Sequence, residues 1–229
     1  MAGEGIDAVF SSTDRVLNHI TAGVLAGRYV PGQRLVEADL TQSLRVSRGP
    51  VREAFRRLDA LGVLSRTMHR GACVRTLSRS EAVDLMIAAE GLDSLTARLA
   101  ALAVKTRKGG RNLSVLERAL QRYRDREYEL ASTPQQRQRF YDVLIAMTGN
   151  SQLPSLFPTM RIHLLRLQTQ SYRDVSARQS DVDDFATVAR AVLAGNPSAA
   201  ARAASAHHRR VQRTLLDMPD EAFPRINGE

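Results

Sequence analysis

Apolar residues recur every three or four positions along most of this 229-residue chain, which is the spacing of amphipathic α-helices. One stretch departs from this pattern. Residues 63–67 and 72–76 are two short β-rich runs on either side of a Gly-containing turn, and they predict a small hairpin. The chain is therefore predicted to be mainly α, with helices on both sides of one hairpin, and to form two domains at residues 12–77 and 78–229.

Three short helices are predicted before the hairpin. The first spans residues 13–26 and the second spans residues 36–44. Ser47 is a candidate N-cap for the third helix, Pro50 is tolerated in its first turn, and Gly62 ends it. Three helices followed by a hairpin have the layout of a winged helix-turn-helix, in which the third helix enters the major groove of DNA.

Positive charge is concentrated in this part of the chain. The net charge is +9, and residues 1–79 hold 12 arginines against 7 acidic residues. On the third helix Arg48, Arg52 and Arg56 recur every four residues, and arginine can bind phosphates or guanine edges. The same row also fits a solvated helix face that pairs with nearby acids such as Glu53. The spacing alone leaves both interpretations open.

A long helical region follows the hairpin. Ser78 and Glu81 form a capping box that opens a helix extending to about Val104, and the polar residues 105–112 interrupt the pattern after it. The buried face of this helix is predicted to consist of Val83, Met86, Leu92, Leu95, Leu99 and Leu102. Further helices are predicted over residues 113–131, 134–147, 153–171, 181–194 and 198–216.

Composition excludes several kinds of site. Cys73 is the one cysteine, so the chain has neither an internal disulfide framework nor a Cys-rich zinc site. No apolar run is long enough to cross a bilayer, and the first residues do not resemble a signal peptide. We therefore expect a protein without membrane contact in a reducing, cytoplasmic setting.

Enzyme motifs are missing from the sequence. There is no Gly-rich phosphate loop, no Gly-x-Ser-x-Gly turn and no His-Glu-x-x-His pair, so no catalytic residue is predicted. Cys73 lies in a predicted strand and is better explained as a small, half-buried residue than as a nucleophile. A purely architectural DNA-binding protein would leave the long helical region without a role.

Three sequence runs, Gly32 to Leu40, Val46 to Ala54 and Leu58 to Gly62, resemble the DNA-binding domain of the GntR superfamily of bacterial transcription regulators. One departure from the family pattern is Ala38, where many members have an arginine that contacts DNA. The resemblance implies DNA contacts in the third helix and the hairpin turn, namely Ser47, Arg48, Gly49, Arg52, Arg70 and Gly71.

The helical region is similar to the FCD domain of the FadR-like subgroup of this superfamily. The similarity lies in Phe140-Tyr141, in Thr148-Gly149-Asn150 and in the run from Ala191 to Asn196 that precedes His207. It implies an all-helical antiparallel bundle that encloses an effector cavity, in a protein that forms a homodimer.

Most members of this subgroup hold a divalent metal through one aspartate and three histidines. The corresponding positions here are Arg137, Tyr141, Phe185 and His207. One imidazole cannot hold such an ion, and an arginine would repel it. The sequence therefore predicts no metal and no other cofactor, and it assigns Arg137 to bind an effector carboxylate directly.

Phe185 and Ala89 predict a roomier or more apolar effector cavity than in the metal-bearing relatives. Simpler interpretations remain for three of the pocket residues: Arg137 can be a surface residue, Tyr141 a core residue and His207 an ordinary helix residue. The residues predicted for effector binding are Arg137, Tyr141, Arg161, His163, Phe185 and His207.

The function predicted is that of a ligand-responsive transcription regulator, a repressor that a small carboxylate metabolite releases from operator DNA. Its partners are then double-stranded operator DNA, the metabolite and a second copy of the chain. Two alternatives stay open at this point: a metal-dependent FCD regulator, and a DNA-binding protein without a small-molecule effector.

Overall fold

The structure, a computed structural model, describes residues 11–66, 72–104, 106–124, 134–157 and 159–223. Its contacts divide the chain into two units, Met1–Thr76 and Leu77–Glu229. The fold class is confirmed, because the first unit is a winged helix-turn-helix and the second is all-helical. No helix in the described ranges is long and apolar enough to cross a membrane.

The first unit contains three helices and a three-stranded antiparallel sheet in the order β1-β3-β2. Strands β2 and β3 are the two arms of the predicted hairpin, and Ser65 is paired with Cys73. Strand β1 was not predicted because two residues are too short to show a periodic pattern. The elements are α1 (Ser12–Leu25), β1 (Arg34–Leu35), α2 (Glu37–Leu44), α3 (Arg48–Ala60), β2 (Leu64–Arg66) and β3 (Ala72–Val74).

Helix α1 packs on α3 and so fixes the direction of α3. Its start is capped by Ser11, whose Oγ accepts a hydrogen bond from the Asp14 backbone N–H at 3.1 Å. Ile20 on α1 and Phe55 and Leu58 on α3 are buried in the core of the unit. The opposite face of α3 is left exposed to solvent, and it carries the arginine row.

The turn between α2 and α3 contains a backbone conformation that is rare for its residue type. Arg45 has φ 51° and ψ 51°, in the left-handed region, and its N–H bonds to the Thr41 carbonyl. A residue other than glycine is disfavoured there by about 1 kcal/mol. Arg15 supports the turn, because its Nη2 donates to the Leu44 carbonyl oxygen at 3.0 Å.

Where the structure describes it, the second unit consists of helices and two short 3-10 turns. Three predicted helices have other bounds. The helix Arg107–Arg124 begins inside the predicted break, the predicted helix 153–171 is divided into Leu153–Leu156 and Thr159–Thr169, and the helix Val175–Leu193 begins earlier than predicted because Asp174 caps it there. The helices are α4 (Arg79–Ala103), α5 (Arg107–Arg124), α6 (Pro134–Thr148), α7 (Leu153–Leu156), α8 (Thr159–Thr169), α9 (Val175–Leu193) and α10 (Pro197–Asp217), and the 3-10 turns are Gln170–Tyr172 and Asp220–Ala222.

The buried face of α4 differs from the prediction. Alanines such as Ala89, Ala97 and Ala100 face the core and let α10 pack closely against α4. Leu95 and Leu102, which were predicted to be buried, are 37% and 55% exposed. The core helix is thus turned so that its small residues lie inside and part of its leucine row lies outside.

Candidate functional site

The N-terminal end of α3 is open to solvent. Ser47 is the N-cap residue, but its hydroxyl makes no capping hydrogen bond to the helix. The first amides of a helix have no intrahelical partners and attract anions. Gly49 is exposed, and a Cβ added to it would meet no atom within 4 Å. This end of α3 can therefore receive a phosphate and allow another backbone to approach closely.

The arginines of α3 differ in how they are paired. Arg52 donates from Nε to Glu37 at 3.0 Å, whereas Arg56 and Arg57 both bind Glu53. Arg48 is exposed and has no carboxylate partner among the described residues. The solvated-face interpretation thus fits Arg56, while Arg48 keeps its guanidinium available for another ligand. The predicted contacts Arg70 and Gly71 lie outside the residues that the structure describes.

In the helical unit, four arginines surround one buried carboxylate, that of Asp181. This residue lies on α9 and is 1% exposed. Its Oδ2 is within 2.8–3.5 Å of guanidinium nitrogens from Arg137, Arg173 and Arg166, and Oδ1 is 2.6 Å from Arg210 Nη2. Burial by itself would raise the pKa of Asp181. The pKa is nevertheless lowered to about 2 by the charges of His207, Arg173 and Arg137 and by the hydrogen bond from Arg210.

A small cavity lies beside this arginine cluster (Arg137, Arg166, Arg173 and Arg210 around Asp181). Its volume is about 10 Å³, which is the room for one water molecule. The predicted residues Tyr141, Phe185 and His207 all line the cavity. The rings of Phe185 and His207 lie 5.0 Å apart between centroids, and those of Tyr141 and Phe185 lie 5.9 Å apart. The wall of the cavity is mainly apolar, and these rings take up most of the space in it.

Asp93 and His208 form the polar end of the cavity. They are 5% and 3% exposed, and His208 Nε2 is hydrogen-bonded to Asp93 Oδ2. The other oxygen of Asp93 and the other ring nitrogen of His208 are buried without a partner among the described residues. Burial, followed by the charge and hydrogen bonding of Asp93, raises the pKa of Tyr141 well above its usual value, so its phenol stays protonated. The cavity thus offers unsatisfied hydrogen-bonding atoms to an occupant.

The other predicted effector residues lie outside this lining. The surface interpretation of Arg137 is wrong: its side chain is 13% exposed and binds Asp181, which is a carboxylate of the protein itself. Arg161 and His163 lie on α8 and are not part of the cavity wall. His163 is buried, and the Nε atom of Arg161 is buried without a hydrogen-bond acceptor among the described residues.

The donor set near the cavity does not fit a metal ion. Asp181, Asp184 and His207 place one ligand atom each within 4.8 Å of one another. However, both oxygens of Asp181 bind guanidinium groups, and Asp184 Oδ2 accepts hydrogen bonds from Arg210 and from His207 Nδ1. A divalent cation would have to displace these positive groups and would be repelled by them.

Sequence reasoning missed Asp93, Asp181 and Asp184. A signal was present in the acidic pair of Asp181 and Asp184, which lie three residues apart on one face of α9 beside Phe185. Asp93 gives no such signal, since it occupies a buried position among alanines on α4. His208 was not predicted to be a site residue, and the structure buries it against Asp93.

Two protein-family models match this chain, one in each structural unit. Residues 12–74 match the family described as bacterial regulatory proteins, gntR family, and residues 84–210 match the FCD domain. The chain belongs to the GntR family of bacterial regulators, in the group that carries an FCD domain. Members of this class are DNA-binding transcription regulators, not enzymes, and their FCD domains bind effectors.

Several relatives share parts of the sequence. Over 87 residues, 38% of each chain, the protein is 36% identical to the "Probable D-xylose utilization operon transcriptional repressor" of Paenarthrobacter nicotinovorans. Over 155 residues, 66% of this chain and 67% of the relative, it is 25% identical to the uncharacterized HTH-type transcriptional regulator YdhC of Bacillus subtilis (strain 168).

Solved structures share the fold over most of the chain. A transcriptional regulator GntR from Rhodococcus sp. RHA1 superposes with a TM-score of 0.72 at 22% identity, covering 89% of this chain and 97% of the other. E. coli McbR/YncC superposes with a TM-score of 0.68 at 16% identity, covering 90% and 97%. At these identities the likeness concerns the fold alone.

Proposed function

We propose that this regulator is a repressor whose α3 helices bind operator DNA and whose helical unit binds a small carboxylate metabolite. The observation that supports the DNA part is the open end of α3, where Ser47, Arg48 and Gly49 are exposed together. Phosphates would bind the free amides and Ser47, while Arg48 and Arg52 would reach base edges or phosphates. A protein acting on chromosomal DNA in this way works in the cytoplasm.

A homodimer is proposed to present two such helices to a palindromic site, about 34 Å or one helical turn apart. The surface that suits dimerisation is an exposed apolar stripe on α4 formed by Ile87, Leu95 and Leu102. Ala88 and Gly91 are exposed on the same face, and small residues allow another helix to approach closely. Burying the stripe against a second copy would remove its apolar area from water.

We expect Leu95→Glu to convert the dimer into a monomer, because the substitution would bury a charge in the centre of the stripe. Light scattering coupled to size-exclusion chromatography measures the mass. Leu156→Glu is the matched control, since Leu156 is also an exposed leucine, at 58%, but lies on α7. A dimer that persists in Leu95→Glu would rule out α4 as the interface.

The observation that supports a carboxylate effector is the charge of the arginine cluster. In the contacts of the described residues, four guanidinium groups gather around the carboxylates of Asp181 and Asp184, so the site is rich in positive charge. Guanidinium groups bind carboxylates by charge-assisted hydrogen bonds, so a site with this many of them favours an anionic ligand. Tyr141 and His207 line the cavity, and His207 Nδ1 lies 3.4 Å from Arg210 Nη2 of the cluster, so the anionic end of a ligand at the cluster would lie beside an apolar space.

An effector larger than water must enlarge the cavity. The walls come from α4, α6, α9 and α10, so binding would shift α4 away from the other three helices or turn the rings of Tyr141 and Phe185. A shift of α4 would move the apolar stripe and change the spacing of the two DNA-binding units. Operator affinity would then fall, and by linkage operator DNA would weaken effector binding by the same factor.

The effector proposal predicts that a small carboxylate releases operator DNA selected by the protein from random sequence. Fluorescence anisotropy of the labelled operator is followed while lactate, benzoate and octanoate are added, with the corresponding primary amides as uncharged controls. We expect at least one acid to weaken DNA binding and its amide to have no effect, because only the anion neutralises the cluster.

Two arginines on α6 provide the matched comparison for this experiment. Arg137→Gln removes a positive charge from the cluster and is expected to weaken the response to the acid about tenfold, whereas Arg139→Gln changes an exposed residue and leaves it unaltered. If none of the three acids acts, or if acid and amide act alike, the carboxylate proposal is wrong.

A further inference from the structure

Arg45 occupies a backbone conformation that glycine would adopt more easily. In the described residues, every other positive φ belongs to a glycine: Gly27, Gly32, Gly62, Gly149 and Gly195. The position closes α2, since the amides of Arg45 and Val46 both bond to the Thr41 carbonyl. Glycine would make these bonds without strain, so the turn itself does not require an arginine side chain.

The side chain of Arg45 is exposed and makes no ion pair among the described residues. In this it resembles Arg48 and differs from Arg52, which is bound to Glu37. Arg45 and Arg48 therefore stand as two exposed cations at the start of α3, with the uncapped Ser47 between them. Three groups that favour an anion are thus brought together within four consecutive residues.

We propose that the Arg45 guanidinium binds a backbone phosphate of operator DNA next to the N-terminus of α3. The inference rests on the proposed function, in which α3 enters the major groove, and it adds a contact from the turn that precedes the helix. A strained residue whose side chain is not needed for the local fold points to a functional constraint. Guanidinium is well suited to a phosphate oxygen, and such contacts fix how the helix sits in the groove.

The test compares Arg45→Gly, Arg45→Asn and Arg45→Lys in the full-length protein. Glycine and asparagine relieve the backbone strain but remove the charge, so we expect the Tm to rise by about 2–4 °C while operator affinity falls about tenfold. The slope of log affinity against log salt should flatten by about 0.9 for each lost phosphate contact. Lysine keeps both the strain and the charge, and is expected to retain the wild-type Tm and salt slope.

Arg28→Ala is the control for charge alone. Arg28 is exposed and lies beyond the C-terminal end of α1, whereas Arg15, which supports the turn, lies in the first turn of that helix, and the helix between Arg15 and Leu25 is about 15 Å long. We expect Arg28→Ala to leave operator affinity unchanged. A lower Tm in Arg45→Gly would overturn the proposal, because it would show that the side chain supports the turn.

The variants also separate this inference from the proposed function. Unchanged affinity in Arg45→Gly together with weakened binding in Arg48→Ala would overturn the phosphate contact and leave α3 as the DNA-binding helix. Unchanged affinity in both variants would mean that DNA binds elsewhere, and both proposals would fail.

Discussion

Asp181→Asn is expected to destabilise the helical unit by at least about 2 kcal/mol, because it removes the charge shared by four arginines. Asparagine has nearly the same shape as aspartate, so packing is kept and the effect reports the charge. The guanidinium groups are 11–25% exposed and cannot regain full hydration without moving apart. Urea unfolding followed by circular dichroism measures the free energy of unfolding.

Asp183→Asn is the matched control for this substitution. Asp183 is exposed, lies two positions away on the same helix and accepts hydrogen bonds from Gln179 only at 3.3–3.4 Å. We expect its loss to change stability by less than about 0.5 kcal/mol, as is usual for surface substitutions. Equal stability changes in the two variants would contradict a special role for Asp181.

The pKa of Asp181 gives the same experiment a pH dependence. The folded-state pKa of about 2 lies below the ordinary value of 3.8, so the stabilisation is fully present above about pH 4 and is lost as the pH falls through about 2. The size of this contribution is about 2 kcal/mol. Wild-type protein should therefore lose stability over this range by more than Asp181→Asn does.

Arg48→Ala is expected to weaken operator binding by about 1–3 kcal/mol for each of its two copies in the proposed dimer. Arg48 is exposed at the start of α3 without a carboxylate partner among the described residues, so no protein contact competes with DNA for its guanidinium. Anisotropy titrations at several salt concentrations measure the effect. A flatter salt slope would assign Arg48 to a phosphate, and relaxed discrimination at one base pair would assign it to a base.

Two other arginines of α3 provide the comparison for Arg48. Arg52→Ala is expected to cost less, because Arg52 must first leave Glu37 before it contacts DNA. Arg57→Ala is the control, since Arg57 is bound to Glu53 and lies 3.5 Å from Asp14 of α1. Operator affinity that stays the same in Arg48→Ala would remove α3 as the DNA-binding helix.

The three helices and the hairpin of the first unit were predictable because each is bounded by a local signal. Gly62 stops α3, Ser47 begins it, and the β-rich runs are short and separated by a turn, so neighbouring residues alone determine the assignment. The pairing of Arg52 with Glu37 was not predictable, because those residues lie on different helices and their separation depends on how the helices pack.

The helical unit was predictable as a class but not in its detail. The periodic pattern assigned Leu95 to the core, whereas the alanines on the neighbouring face allow α10 to pack closely and leave Leu95 outside. The family positions correctly brought together Tyr141, Phe185 and His207 at one cavity. The partners of Asp181 come from three other helices and from the loop before α9, so they could be found only in the folded structure.

Asp181 joins helices that are far apart in sequence. It lies on α9, and its partners include Arg137 on α6, Arg166 on α8 and Arg210 on α10. If one of these helices unfolded alone, charged groups on the others would be left without their partners. Local unfolding of a single helix is therefore disfavoured. The four helices therefore behave as one cooperative block, and a ligand that displaces one of them must carry the others with it.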